Sequence, residues 1–281
     1  MESGRLSLVT RSSAMAERWT KALDRPGSLA AALSGIGDGA TVALGGASLQ
    51  RKPIAAVRAL IDLRPAQLRV ISVLGSLDVE LLIAAGVVAE LHSAGVGLDG
   101  AGLAPRYRAA RERGSVKFVE WSEGTLLCAL EAQARGVPSL PTWMALGSDL
   151  PALNDNLRQV SDPFTGEPVI QVRALHLDAA IIHVSGVDVH GNAYVDGDIA
   201  FDGALARAAD RTIVTYESLR PAQPELASIS RLWIDTVVPA PSGAAPTGCH
   251  ALYRADHEVI SRWASAGAEA DPALLAAGSG A

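Results

Sequence analysis

Val116-Lys-Phe-Val-Glu-Trp-Ser-Glu-Gly-Thr125 changes character in its middle. Up to Glu120 it alternates apolar and polar residues as a strand does, whereas Thr125 to Arg135 is rich in Leu, Ala, Glu and Gln, which favour helix. Ser122 suits the helix N-cap, so Glu123 falls in the first turn, where free N–H groups and the helix dipole stabilise a carboxylate. In an alternating strand and helix fold such a junction lies at the carboxyl ends of the strands, the edge where open sheets bind ligands. Acids are also common in first turns for stability alone. The segment therefore leaves Glu123 two readings, a capping acid or a catalytic one.

The same switch recurs along the chain. β-branched apolar runs at Thr41 to Leu44, Leu68 to Val73, Val116 to Val119, Ala179 to Val184, Thr212 to Tyr216 and Ile234 to Val238 predict strands. Between them, Ser28 to Leu33, Pro53 to Leu63, Val79 to Ala85, Pro105 to Arg113, Thr125 to Arg135 and Asp202 to Ala209 predict helices, several opened by proline or a capping residue. The alternation predicts an α/β fold, an open, mainly parallel sheet with helices on both faces. Gly136 to Leu177 differs, being rich in Pro and Gly, and reads as a long connection with short strands that is functional, interface-forming or hiding further elements.

The 281 residues suffice for a full core without staples, and 49% hydrophobic against 19% charged residues suits a folded α/β protein. A net charge of −6 argues against a general nucleic-acid binder, although a local basic patch can still hold a phosphorylated ligand. No apolar run reaches the roughly 18 residues of a membrane span. Cys128 and Cys249 stand far apart without a CxxC pair, and no secretory leader opens the chain, which together predict a reduced, cytoplasmic setting. Residues 1–22 read as a flexible extension, 23–270 as one domain and 271–281 as a flexible tail.

Leu44-Gly-Gly-Ala-Ser-Leu-Gln-Arg-Lys-Pro53 follows a strand and precedes a helix. Two glycines there let backbone N–H groups approach a ligand oxygen, with Arg51 and Lys52 adding positive charge, or they simply make a tight turn. Gly95-Val-Gly-Leu-Asp-Gly100 satisfies GxGxxG with Glu120 some way downstream, as a nicotinamide-dinucleotide fingerprint requires, but Gly102 and Pro105 interrupt the helix such a site needs. His183, Asp188 and His190 are conceivable metal ligands, yet no further ligand stands at a recognisable spacing, so hydrogen-bonding roles are expected and no metal is assigned. Glu217 is another acid at a strand end.

Taken in order, Gly45-Gly-Ala with Arg51-Lys-Pro53, Leu82-Ile-Ala-Ala-Gly86, Gly136-Val-Pro-Ser-Leu-Pro-Thr142, Leu146-Gly-Ser-Asp-Leu150, Asp162-Pro-Phe-Thr-Gly166, Asp178-Ala-Ala-Ile-Ile-His183, His190-Gly-Asn192 and Ala240-Pro-Ser-Gly-Ala-Ala-Pro246 resemble the α subunit of class I coenzyme A transferases. That group includes glutaconate CoA-transferase. The resemblance covers about residues 25 to 260. Within it, Ser122-Glu-Gly-Thr-Leu-Leu-Cys128 is similar to the segment around an essential glutamate in a CoA-dependent hydrolase that opens a steroid-derived ring, and Pro246-Thr-Gly-Cys-His-Ala-Leu-Tyr253 to a methylglutaconyl-CoA decarboxylase.

The resemblance implies the α subunit of a heteromeric enzyme that acts on an acyl-CoA thioester as substrate, pairs with a homologous β subunit and holds no permanently bound cofactor. CoA transfer to or from a carboxylate is then the leading reaction, with the nucleophilic glutamate on the β subunit. The alternative is carbon–carbon bond hydrolysis or decarboxylation with Glu123 as general base. The resemblance also places Gly45, Gly46, Ala47, Ser48, Arg51 and Lys52 beside the thioester or pantetheine, the turn supplying backbone donors. A noncatalytic partner subunit is the reading from another class.

Overall fold

The computed structural model describes residues 22–275. In chain order these form α1 (Leu29–Leu33), β1 (Thr41–Leu44), α2 (Ile54–Asp62), β2 (Leu68–Ile71), β3 (Leu74–Gly75), α3 (Leu77–Ala84), β4 (Val88–Ser93), β5 (Gly95–Val96), α4 (Pro105–Arg113), β6 (Lys117–Glu120) and α5 (Glu123–Ala134). The second half adds β7 (Ser139–Thr142), α6 (Leu150–Leu153), β8 (Leu157–Ser161), β9 (Pro168–Arg173), β10 (Leu177–Asp188), β11 (Ala193–Tyr194), α7 (Asp202–Ala208), β12 (Ala209–Arg220), β13 (Thr236–Pro239) and α8 (His257–Ala266).

The main sheet runs β13-β12-β10-β1-β2-β4-β6, every neighbouring pair parallel, with β11 added antiparallel to β10. Alternate residues of a strand face opposite ways, so Val42 and Leu44 enter the core beneath α1, α2, α3, α4 and α8, while Ala43 enters the core beneath α5 and α7. The expected parallel sheet with helices on both faces is what the chain builds.

α5 begins as its sequence predicts. Ser122 Oγ accepts from Thr125 N–H at 3.2 Å and Thr125 Oγ1 accepts from Ser122 N–H at 3.1 Å, a reciprocal cap. Gly136, at φ +67°, turns the chain just beyond the helix end. The stretch from 136 to 177 is more ordered than its composition suggests: β7, β9 and β8 form a small antiparallel sheet with β9 in the centre.

The expected boundaries change at one end. Leu275 is buried in the core and its carbonyl accepts from Arg58 Nη2 at 2.9 Å, so residues 271–275 belong to the folded body and not to a tail. The expected extension, apart from residue 22, and the last six residues lie outside the described residues.

Glu80 of α3 ties three helices together. Its carboxylate accepts from the N–H groups of Arg106 (3.1 Å) and Tyr107 (2.7 Å) at the start of α4, and from Trp263 Nε1 of α8 (2.9 Å). Replacing it with an apolar residue strands these donors. Glu80→Leu is expected to lower stability by about 3 kcal/mol, read as a shifted urea midpoint with an unchanged slope.

Candidate active site

The chain leaves β1 through the glycine turn. A β-carbon on Gly45 would lie 2.7 Å from Asp202 Oδ1 and 3.2 Å from Ile182 Cα, and Gly46, at φ +72°, would collide with the carbonyls of Gln50 and Arg51. The turn's own packing therefore demands both glycines. Its donors are also spent: Gly45 N–H bonds Ile181 O (2.9 Å), Gly46 N–H Asp202 Oδ1 (2.7 Å), Ala47 N–H Gln50 O (3.0 Å) and Ser48 N–H Leu74 O (3.1 Å). This corrects the expectation of free backbone donors at the turn. Ser48 and Arg51 both hold positive φ, 49° and 53°, a strained conformation for residues with side chains.

Arg51 and Lys52 point inward. The Arg51 guanidinium contacts Asp202, the first residue of α7, and donates to His183 O (3.2 Å) and Asp198 O (2.6 Å). Lys52 Nζ lies 3.2 Å from Asp78 Oδ2 and donates to Ser72 Oγ at 3.1 Å, with both charged side chains at 0% exposure. The positive charge expected beside a ligand is thus neutralised beneath the turn, because a buried cation without a partner is too costly to keep.

Glu123 stands at the other end of the same edge. It is exposed, and among the described residues its side chain makes no hydrogen bond or ion pair. The strand leading to it is fixed firmly. Trp121 Nε1 donates to His92 Nδ1 at 3.0 Å, so His92 carries its proton on Nε2 and gives it to Glu90 Oε1 at 2.6 Å. Burial pushes the His92 imidazole below its ordinary 6.5, in keeping with a neutral ring. Asn154 Nδ2 holds Glu120 O at 2.8 Å, and Gly124 lies against Met144. Neither Trp121 nor His92 carries a sequence signal of this role beyond being polar groups on apolar strands.

β1 and β6 are separated by β2 and β4, so the glycine turn and Glu123 share the carboxyl edge about 14 Å apart and do not touch. Gly45, Gly46, Ala47, Ser48, Arg51 and Lys52 form one cluster, and Glu123 another.

A third group sits level with the glycine turn. Glu217 of β12 accepts from His183 Nε2 (2.8 Å), the Tyr253 hydroxyl and Ser242 N–H (2.6 Å). Burial alone would push its carboxyl up, but these hydrogen bonds outweigh it and hold the group below 4.5. Cys249 completes a His183, Glu217 and Cys249 cluster of metal-ligand types, with its thiol pushed up to about 11 by burial. His183 Nδ1 meets Thr215 Oγ1 at 2.9 Å, so hydrogen bonds occupy the imidazole and carboxylate. Asp188 accepts from His190 N–H, Asn192 and Tyr194, making it the organiser of its own turn.

The GxGxxG segment is no dinucleotide loop. Gly95–Val96 is a short strand beside β3, Asp99–Ala101 is a single 3₁₀ turn, and Glu120 pairs with Arg111 at 2.8 Å.

Comparison with known proteins agrees with this architecture. The profile of the Coenzyme A transferase family matches residues 27–240, and the chain belongs to that family. It is 34% identical over 256 residues to the cholesterol ring-cleaving hydrolase IpdA subunit of Rhodococcus jostii, covering 86% of each chain. With one subunit of the 3-oxoadipate CoA-transferase of Pseudomonas knackmussii it shares 31% over 234 residues, 81% of this chain and 83% of that one. An uncharacterised Archaeoglobus fulgidus protein, 36% identical over 193 residues (66% of this chain), is longer, and the match spans 43% of it. The solved decarboxylase AibA/AibB superposes with a TM-score of 0.80 at 34% identity, over 87% of this chain and 93% of that one. Among the described residues no helix is long and apolar enough to cross a membrane.

Asp78→Ala leaves the Lys52 ammonium buried and unpaired and is expected to cost about 3–5 kcal/mol by urea denaturation, whereas Lys52→Met with Asp78→Leu should recover most of that loss. Glu217 supplies stability that is fully present above about pH 4.5 and lost as pH falls through its depressed folded-state value. The stability gap between wild type and Glu217→Gln, followed from pH 7 to pH 3, should therefore be widest above pH 4.5 and close on acidification.

Proposed function

We propose that this chain is the α subunit of a heteromeric enzyme acting on an acyl-CoA thioester, that a homologous β subunit completes its site, and that Glu123 is a general base there. The freedom of Glu123 carries this reading. Asp78, Asp202, Glu80 and Glu217 are all held by hydrogen bonds or cations, while Glu123 is exposed at the carboxyl edge on the first turn of the 12-residue α5. Ser122 and Thr125 already cap that helix, so Glu123 is not needed for it.

The carboxylate would accept a proton either from a water whose oxygen bonds a substrate carbonyl carbon or from the acyl-CoA itself. The first use gives carbon–carbon hydrolysis, in which the water adduct collapses with cleavage of the adjacent carbon–carbon bond and the carbanion released takes the proton back. In decarboxylation the proton comes from the substrate's own carboxyl group, CO2 leaves, and Glu123 returns that proton to the carbanion. CoA transfer between the thioester and a carboxylate is the second reading, favoured by the likeness to the 3-oxoadipate CoA-transferase, and it takes its nucleophile from the β subunit. The thioester is a substrate in every case, and no permanently bound cofactor is assigned.

The relatives' names as subunits support a partner, as does the apolar surface beside Glu123. Trp143 is 76% exposed, and Met144, Leu146 and Leu153 are exposed with it. A surface of this kind is characteristic of subunit contacts. The two cysteines are unpaired thiols, consistent with the cytoplasm.

The complex should be incubated with acyl-CoAs, with and without an acceptor carboxylate, and the products weighed by mass spectrometry. Glu123→Gln is expected to lower kcat by at least ~100-fold with KM little changed. Wild-type turnover in that variant would return Glu123 to a supporting role and leave CoA transfer as the reaction.

A further inference from the structure

Trp121 is 2% exposed and stands two residues before Glu123, so its placement decides how the chain enters α5. The backbone on either side is already held: Trp121 N–H bonds Ser93 O at 3.1 Å, and Ser122 O accepts from Leu126 N–H at 3.0 Å. The indole remains to be fixed, and it carries one donor and no acceptor. His92 Nδ1 takes that donor at 3.0 Å, with the two ring centroids 6.0 Å apart. Behind it, Glu90 Oε1 takes the Nε2 proton of His92, and Glu90 Oε2 lies 3.2 Å from Lys117 Nζ. The link thus leaves β6 at Lys117, crosses β4 through Glu90 and His92, and returns to the chain at Trp121.

A neutral imidazole is required to complete this link. Trp121 has no acceptor to offer, so a charged His92 would turn one N–H toward another and lose the contact. Burial opposes the charged ring, as do Lys117 and, from β2, Arg69, whereas Glu90 favours it. Fold stability alone does not call for the arrangement, since replacing both partners of a buried hydrogen bond by apolar groups of the same shape costs little. What the polar link adds is orientation, because a satisfied buried network specifies one arrangement of its side chains. Glu123 depends on that orientation: among the described residues its side chain makes no hydrogen bond or ion pair, which leaves the backbone to aim it.

We propose that His92 is a positioning residue for the reaction, acting through Trp121: its neutral ring, protonated on Nε2, fixes the indole and thereby the direction in which the first turn of α5 presents Glu123. This rests on the general-base reading above and adds the group on which that base depends. Glu90 is the second member, holding His92 in the one tautomer that leaves Nδ1 free to accept. A displacement of about 1 Å at a reacting group can cost on the order of 100-fold in rate, so a small movement of Trp121 is enough to matter.

The test has a spectroscopic and a kinetic arm. Nitrogen NMR of the His92 imidazole in the full wild-type chain at pH 7 should show Nδ1 unprotonated and Nε2 protonated, a measurement that needs neither substrate nor partner. A charged ring or the opposite tautomer overturns the proposal and leaves the general-base reading standing. In the complex with the partner subunit, His92→Phe removes the acceptor and should lower kcat about tenfold or more with KM little changed. His92→Asn, whose side-chain oxygen can still accept from Trp121, should recover most of that loss. Added to Glu123→Gln, His92→Phe should lower kcat no further, because it acts through Glu123. Wild-type kcat in His92→Phe, no recovery in His92→Asn, or a full additional loss in the Glu123→Gln background each overturns the proposal. Wild-type turnover in Glu123→Gln alone overturns both this proposal and the general-base reading.

Discussion

The contact between Arg51 and Asp202 holds the edge of this sheet together. Asp202 opens α7, and its carboxylate takes the N–H of Gly46 with one oxygen and the Arg51 guanidinium with the other. Arg51 in turn reaches the carbonyls of His183 and Asp198. The turn after β1, the middle of β10, the loop before α7 and α7 itself are thereby locked to one ion pair. Lys52 and Asp78 repeat the arrangement on the side toward β2 and α3. Two buried charges are expensive to desolvate, and each is retained only because its partner and further hydrogen bonds surround it.

This anchoring produces an asymmetric edge. At the β1 end the backbone is strained, its donors are consumed and its charges are cancelled, so the glycine turn works as a shaped wall. At the β6 end the backbone is equally firm, held by Trp121, His92 and Asn154, yet it presents a carboxylate that makes no hydrogen bond or ion pair among the described residues. A rigid support under a free acid is the arrangement that general-base chemistry requires, since the acid must meet a substrate proton in a defined geometry. The exposed apolar surface on the 136–177 segment stands beside that acid, so a partner that covers it also encloses Glu123.

Much of this is legible in the sequence alone. The Ser122 cap, the switch to helix after it and the alternation of apolar runs locate α5, β1, β10 and the parallel sheet, because each depends on local propensity and periodicity. β4 stays hidden because Glu90, His92 and Ser93 give it a polar look. Glu90 and His92 find partners distant in sequence, Lys117 and Trp121, and local pattern cannot display such partners. α8 is hidden too, although Val259, Ile260 and Trp263 form its buried face. Arg51 and Lys52 read as surface cations beside a ligand loop for the same reason: Asp202 lies 151 residues away from Arg51, and nothing near either residue announces their meeting. The family motifs locate the turn correctly and cannot say that its donors are already taken.

If Glu123 is the general base proposed above, an acyl-CoA lies along the carboxyl edge with its thioester at that residue. A crystal structure of the complex with CoA tests it most directly through the position of one atom, the CoA sulfur. That sulfur is expected close to the Glu123 carboxylate, with the pantetheine passing the glycine turn. A sulfur bound elsewhere, with Glu123 covered by the partner and facing no ligand, would contradict it.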